Sequence, residues 1–118
     1  MIEKDFIAEF PLAFTKDFCE KVINAFEDKS KLNFTIQRHQ EGVSSLKKND
    51  EATFIVAEDI NSNSALSGDD INIFTKVFWK DCFLQYQEKY GMLNELEQYA
   101  IYDFKIQKTL PGQGYHIW

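Results

Sequence analysis

Residues 102–118 have the sequence Tyr102-Asp-Phe-Lys-Ile-Gln-Lys-Thr-Leu-Pro-Gly-Gln-Gly-Tyr-His-Ile-Trp118. This pattern predicts a strand over residues 99–108, a turn at the Pro-Gly pair and the beginning of a second strand at residues 115–118. Side chains alternate between the two faces of a strand. One face therefore carries Phe104 and Ile106, and the other carries three polar residues: Lys105, Gln107 and Thr109. A polar face of this kind either meets solvent or lines the mouth of a β-barrel, where polar groups contact a ligand.

Two amphipathic helices are predicted ahead of this stretch. The first begins after Thr15, a residue type that caps helix N-termini, and covers about residues 16–27. The second follows a capping-box-like pair, Ser67 and Asp70, and Gly91 is placed to end it. Helical spacing predicts six buried side chains on these helices: Phe18, Val22, Phe26, Phe74, Phe78 and Tyr86.

Three further segments have strand patterns, namely residues 5–10, 33–37 and 52–57. Residues 38–51 and 60–67 are polar and are predicted to be solvated loops. The chain is thus predicted to be an α+β protein, with two N-terminal helices packed on an antiparallel sheet, and one domain over residues 1–118.

Composition narrows the classes of function. The 118 residues carry 13 basic and 19 acidic side chains, for a net charge of −6. This balance argues against nucleic-acid binding, which depends on neutralising phosphates, and against docking on anionic membranes. The sequence has no stretch of membrane-spanning length and no apolar signal core near Met1. We therefore expect a soluble, cytoplasmic protein.

Residues that could carry chemistry are few. Of the two histidines, His39 falls in a polar segment and is predicted to be solvated. The absence of a Cys-x-x-Cys pair argues against a structural zinc site. Cys19 and Cys82 lie among apolar residues, which favours buried free thiols over the alternatives of a disulfide or a metal pair.

A resemblance to an enzyme family rests on three consecutive pieces of the chain: Lys105-Ile106-Gln107-Lys108-Thr109, Pro111-Gly112-Gln113-Gly114 and Tyr115-His116-Ile117-Trp118. Together they resemble the first core strands of the prolyl-4-hydroxylase-like iron(II)/2-oxoglutarate-dependent dioxygenases. The opening strand and helix, followed by a long second helix, are similar to that family's layout as well. The resemblance implies that the sheet is part of a double-stranded β-helix, or jelly roll.

The resemblance also implies cofactors and site residues. The family holds Fe(II) with two histidines and one carboxylate and leaves positions open for 2-oxoglutarate and oxygen. The cofactor-binding residues implied here are Gln107, Thr109, Tyr115 and His116, although the family commonly has a tyrosine in place of Thr109. His116 is not followed by an acid two positions later, so no metal role is carried over to it. A His-x-Glu or His-x-Asp pair is expected directly after Trp118, which makes the chain a truncated one that holds no iron or other cofactor by itself.

The function implied is that of a fragment of a hydroxylase acting on a peptide or another small acceptor, inactive in this form. The alternative is a small non-enzymatic α+β protein-interaction module. A jelly roll cut after its first strands would expose strand edges, so the C-terminal strands are predicted to join copies of the chain into a homo-oligomer.

Overall fold

The computed structural model describes residues 1–38, 48–55, 66, 68–101 and 103–114. The chain divides into two compact units, each assembled from two stretches of sequence. The first unit consists of Met1–Val22 and Leu66–Ile101, and the second of Ile23–Ala65 and Tyr102–Trp118. Helices and small antiparallel sheets make up the described part, which confirms the α+β class.

The first unit opens with a hairpin of strands β1 (Ile2–Lys4) and β2 (Ile7–Glu9). The two turn residues between them, Asp5 and Phe6, have φ angles of 53° and 66°. Left-handed conformations at both turn positions suit the right-handed twist of paired strands. The prediction of an unbroken strand over residues 5–10 is therefore wrong, because the first two residues of that segment, Asp5 and Phe6, form the turn of the hairpin.

Helix α1 (Lys16–Lys31) begins as predicted at Thr15, whose Oγ1 accepts a hydrogen bond from the Phe18 amide at 3.1 Å. The helix continues past its predicted end and stops just before Asn33, which has a φ of 59°. A residue in this left-handed region is a common way to end a helix, and asparagine tolerates it better than most residues.

The second predicted helix is not a single regular α-helix. It consists of α2 (Gly68–Lys76), a π-helical segment (Val77–Phe83) and α3 (Leu84–Lys89), and a 3₁₀ turn (Gly91–Glu95) follows. Gly91 thus lies just past the helix end, as predicted. Ser67 lies outside the described residues, and the Asp70 carboxylate receives a hydrogen bond from Lys21 Nζ at 2.9 Å.

Aromatic rings along this helix contact one another in series, at centroid distances of 4.9 to 6.4 Å. The rings of this series belong to residues of the first unit: Phe14, Phe18, Phe74, Phe78, Trp79, Phe83 and Tyr99. Of the six side chains predicted to be buried, Phe26 is buried and the other five are half-buried. The apolar stripe was thus found correctly, but full enclosure was wrong for most of its members.

Both cysteines are free, but Cys19 is exposed and Cys82 is half-buried. The prediction of two buried thiols is wrong for Cys19, since the position after Phe18 lies about 100° further round the helix, off the apolar stripe. Burial raises the pKa of the Cys82 thiol, and the nearby Asp81 charge adds to that effect.

The second unit contains a three-stranded antiparallel sheet in the order β3 (Ile36–Gln37), β4 (Glu51–Ile55) and β5 (Phe104–Lys108). Ala52 pairs with Ile36 on one side and with Gln107 on the other. The C-terminal part of α1 contributes the buried Ala25 and Phe26 to this unit, and β4 contributes the buried Ala52 and Ile55. Strand β5 begins later than the predicted start at Tyr99.

A tight turn follows β5. The Gln113 amide donates to the Leu110 carbonyl at 2.9 Å, and Gly112 has a φ of 81°, which confirms the predicted Pro-Gly turn. The Gly114 amide then donates to the Asn49 carbonyl, and the Asn49 amide donates to the Gly114 carbonyl, both at 3.0 Å. The turn therefore brings Gly114 beside Asn49, two residues before β4, the strand that already pairs with β5.

Candidate functional site

The sheet of the second unit has two chemically different faces. The α1 face carries Glu51, Thr53 and Ile55 of β4, with Phe104, Ile106 and Lys108 of β5. The opposite face, called here the Gln107 face, carries Asp50, Ala52, Phe54, Lys105 and Gln107. The predicted alternation of β5 is confirmed, because Phe104 and Ile106 are half-buried while Lys105 and Gln107 are exposed.

The α1 face is held to the helix by polar contacts. Lys108 Nζ donates to Glu27 Oε1 at 2.6 Å, and the hydroxyls of Ser30 and Thr35 both donate to Glu51 Oε1 at 2.5 Å. Burial alone would raise the pKa of Glu51, but these hydrogen bonds and the Lys108 charge outweigh it and lower that pKa. The hydrogen bond to Glu27 raises the pKa of Lys108. These groups are used in fixing the helix to the sheet.

The Gln107 face is organised around a buried carboxylate. The Asp50 side chain is 1 % exposed, and Gln107 Nε2 donates to its Oδ2 at 2.5 Å. The backbone carbonyl of Asp50 accepts a hydrogen bond from the amide of Arg38 at 2.8 Å, and the Arg38 side chain is itself 5 % exposed. Burial of a carboxylate is costly unless hydrogen bonds compensate for the lost water. The Gln107 amide therefore stabilises the charge beneath it.

Two of the four residues predicted to contact a cofactor can be located. Gln107 lies on the Gln107 face, bound to Asp50, and Thr109 is exposed directly after β5. Tyr115 and His116 lie outside the described residues, and so does His39. The structure therefore brings Gln107 together with Asp50, a residue that the sequence analysis did not single out.

The prediction of a solvated loop over residues 38–51 is wrong at both ends, since Arg38 and Asp50 are buried. A signal for Asp50 was present in the sequence. The alternation of β4 continues two residues back from Ala52 to Asp50, which places Asp50 on the same face as Ala52 and Phe54.

The first unit contains a different polar contact, at its N-terminal hairpin. The Tyr90 hydroxyl donates to Glu3 Oε1, and Lys89 Nζ lies 3.7 Å from Glu3 Oε2. The hydrogen bond to Glu3 raises the pKa of Tyr90 to about 12, and the same bond lowers the pKa of Glu3. The Tyr86 hydroxyl donates to the Phe6 carbonyl at 2.6 Å. These bonds fasten the hairpin to α3.

A shallow groove lies along the π-helical segment of the first unit. Aromatic and aliphatic side chains dominate its lining: Trp79, Lys80, Phe83, Leu84, Gln87 and Tyr99. The Tyr99 hydroxyl donates to the Leu93 carbonyl. A binding or catalytic site combines an apolar lining with several converging polar groups. The polar side chains in the lining of this groove, besides Tyr99, are Lys80 and Gln87.

Within the described ranges, no three His, Cys, Asp or Glu side chains are grouped so that they could hold a metal ion. The described residues therefore do not fit a complete iron site, and the prediction that the chain holds no iron stays a prediction. Among the helices that the structure describes, none is both long and apolar enough to cross a membrane.

Comparison with known proteins adds no relative. No protein-family model, no curated protein and no solved structure matches this chain. The resemblance to dioxygenases therefore rests on the residues quoted from the sequence.

Proposed function

We propose that this chain supplies the helical part and the first core strands of a prolyl-4-hydroxylase-like iron(II)/2-oxoglutarate dioxygenase, an enzyme that hydroxylates a peptide or another small acceptor. Its sheet would then be part of a jelly roll. The observation that carries the proposal is the asymmetry of β5, which has one face against α1 and a polar face on the other side. A jelly-roll oxygenase needs such a strand, because helices cover the outside of its larger sheet and polar groups line its interior.

The residues present fit the cosubstrate better than they fit the metal. The Gln107 face offers the Lys105 ammonium, a group that binds carboxylates such as those of 2-oxoglutarate. By resemblance, Gln107, Thr109, Tyr115 and His116 lie nearest that cosubstrate. The described residues offer no set of three metal ligands, so no step of the reaction is derived through iron.

The proposal is tested first by cosubstrate binding. In amide-correlation NMR spectra of the chain, 2-oxoglutarate should shift signals from β5 and from the Gln107 side chain. Glutarate, which lacks the keto group, is the matched control for non-specific carboxylate binding. If 2-oxoglutarate leaves β5 unchanged at millimolar concentration, or acts no differently from glutarate, this region has no cosubstrate site and the proposal fails.

The encoding DNA supplies an independent test. A reading frame that continues past Trp118 into His-x-Glu or His-x-Asp would add metal ligands at the place where the resemblance expects them. The longer product should then convert 2-oxoglutarate to succinate in the presence of Fe(II). A stop codon at that point would favour the alternative function.

The alternative is a non-enzymatic interaction module, and one observation favours it. Several large apolar side chains of the first unit are well exposed, among them Phe6 at 69 %, Ile7 at 70 % and Leu12 at 97 %. Exposed apolar surface is typical of sites that bind other proteins. Under either function we place the protein in the cytoplasm, with no nucleic acid among its partners because of the net charge of −6.

A further inference from the structure

We propose that the shallow groove along the π-helical segment, called here the Trp79 groove, binds a small monocarboxylate whose body is one aromatic ring or one short branched apolar chain. Its lining residues all belong to the first unit. The inference goes beyond the proposed function and holds under either candidate function, because it uses no residue of the sheet in the second unit.

The backbone beneath the groove has an uncommon conformation. Val77–Phe83 is π-helical, and the Leu84 amide donates to the Trp79 carbonyl, five residues earlier. Such segments are rare within helices and occur frequently at functional sites. None of the seven side chains is fully buried, so the helix departs from α geometry where it meets the surroundings of the protein.

Aromatic rings form the walls of the Trp79 groove, and their mutual contacts hold them in place. The Trp79 and Phe83 rings meet edge to face with centroids 5.0 Å apart, and the Phe83 and Tyr99 rings do so at 4.9 Å. The Tyr99 hydroxyl donates to the Leu93 carbonyl, which fixes the other end of that side chain. Rings that are already ordered lose little conformational entropy when a ligand binds. The walls are therefore a preorganised apolar surface.

The size of the groove limits the body of the ligand. It holds about 350 Å³, whereas clefts that bind small molecules hold about 300–1,000 Å³. Leu84, in the same lining, is 50 % exposed, and a ligand body that covers it removes apolar surface from water. A volume at the small end of the range suits a single ring or a short branched chain.

Lys80 determines the charge of the ligand. Among the described lining residues it is the only charged one, in a chain of net charge −6. Its side chain is exposed, and no described carboxylate forms an ion pair with it. Asp81, the next residue, lines a different groove beside Pro11 and Leu12. The Lys80 ammonium would repel a cationic ligand from these aromatic walls and attracts an anionic one.

Gln87 supplies a second hydrogen-bond donor in the same lining. A carboxylate only accepts hydrogen bonds, and it has two oxygens. One oxygen can accept from the Lys80 ammonium and the other from the Gln87 side-chain nitrogen. One ammonium and one amide thus match a single carboxylate, while a doubly charged phosphate would need further donors.

The test uses the unmodified chain, with 3-phenylpropionate as the probe. In NMR spectra the probe should cause saturable shifts of the Trp79 indole N–H signal and of backbone amides in residues 79–87. Two compounds are matched controls: 3-phenylpropanol has the ring without the charge, and propionate has the charge without the ring. Binding of 3-phenylpropionate should be about threefold tighter than that of 3-phenylpropanol, as expected for an ion pair that stays in contact with water.

Three outcomes of these titrations would overturn the proposal. The first is the absence of shifts from the groove at millimolar 3-phenylpropionate. The second is equal binding of 3-phenylpropionate and 3-phenylpropanol, which would leave the charge of Lys80 without a role. The third is equal binding of propionate, which would leave the aromatic walls without one.

Two lysine variants test the assignment of the charge to one residue. Lys80→Gln should weaken the binding of 3-phenylpropionate about threefold and leave that of 3-phenylpropanol unchanged. Lys76→Gln is the matched control, because Lys76 is an exposed lysine at the end of α2 and lies outside the described lining. It should leave both affinities unchanged. Equal losses in the two variants would reveal a general effect of net charge and would overturn the role of Lys80.

A third variant tests the walls. Trp79→Leu should weaken the binding of both ring compounds about tenfold, as for an aromatic residue at the centre of a binding site. Circular dichroism checks that the helices persist. Full binding by a folded Trp79→Leu would overturn the location of the site. If this variant does not fold, the three compounds on the unmodified chain and the two lysine variants decide.

Discussion

At the scale of single residues, the bond between Tyr90 and Glu3 is a proton-sensitive contact within the first unit. The folded-state pKa of Tyr90 is about 12, above its ordinary value of 10.0, and that of Glu3 lies below its ordinary value of 4.5. The raised tyrosine pKa stabilises the fold fully below about pH 10, and this contribution is lost as the pH rises toward 12. The lowered glutamate pKa contributes above about pH 4.5, and its contribution is lost as the pH falls through the folded value.

We therefore predict that ultraviolet absorbance will detect a tyrosine that ionises near pH 12 in the folded protein. The Glu3→Gln substitution should return the pKa of Tyr90 toward 10, because the negative charge beside the Tyr90 phenol is removed. Tyr90→Phe should remove this titration altogether and is the control for its assignment. Persistence of the same titration in Tyr90→Phe would assign it to another of the five tyrosines.

Among the described residues of the second unit, Phe26 is the largest apolar side chain that is buried, so its removal should destabilise the unit strongly. Its side chain is 3 % exposed, so Phe26→Ala should cost about 3–5 kcal/mol of unfolding free energy. Phe34 is 68 % exposed, and Phe34→Ala should stay within about 0.5 kcal/mol. Urea denaturation of the two variants checks both values, and similar costs would contradict the burial of Phe26. The sequence analysis predicted that Phe78 is buried, but its side chain is half-buried, so Phe78→Ala should cost less than Phe26→Ala.

At the scale of elements, helix α1 depends on its cap. Thr15→Ala removes the acceptor for the Phe18 amide and should cost about 1 kcal/mol, while Thr15→Ser keeps a hydroxyl and should cost much less. Thermal unfolding followed by circular dichroism distinguishes the two variants. Equal losses would mean that the hydroxyl does not stabilise the helix.

Gly112, in the turn after β5, and Gly91, just past the end of α3, form a matched pair of glycines. A Cβ added at Gly112 or at Gly91 would meet nothing within 4 Å, but only Gly112 has a positive φ, of 81°. Gly112→Ala should therefore cost about 1–2 kcal/mol through backbone strain alone, and Gly91→Ala should not. Denaturant titration of both variants tests this difference. An equal effect at the two positions would contradict a left-handed Gly112.

These elements show what could be predicted from sequence. The helices were found because their signals are local: Thr15 caps the first, and Gly91 follows the second. The hairpin turn was missed because neither Asp5 nor Phe6 is a glycine or an asparagine, the residues that most often indicate positive φ angles. The pairing of Asp50 with Gln107 was missed because the two residues are 57 positions apart, and only the pairing of β4 with β5 brings them together.

At the scale of the whole molecule, the sheet of the second unit has edges. Strand β5 is the last in the order β3-β4-β5, and no other described strand pairs with its outer edge. An exposed strand edge recruits further strands. We therefore predict that the chain forms a homodimer, or a larger homo-oligomer, through its C-terminal strands.

Sedimentation at micromolar concentration should detect this association, and amide hydrogen exchange should locate it. Protection of β5 amides should rise with protein concentration, while protection of the β1–β2 hairpin should not. A folded monomer over the whole concentration range would contradict the prediction and would strengthen the reading of the chain as a self-contained interaction module.

The interleaving of the two units in sequence also sets the order in which they can be completed on the ribosome. The second unit begins at Ile23, before the second stretch of the first unit, yet its β5 is made only after that stretch has ended at Ile101. The first unit can therefore close while β4 still lacks its partner β5. Because β4 remains unpaired on one side until β5 emerges, the nascent chain carries an open strand through the synthesis of the long helix, and Asp50 acquires its Gln107 partner only after the first unit has been synthesised.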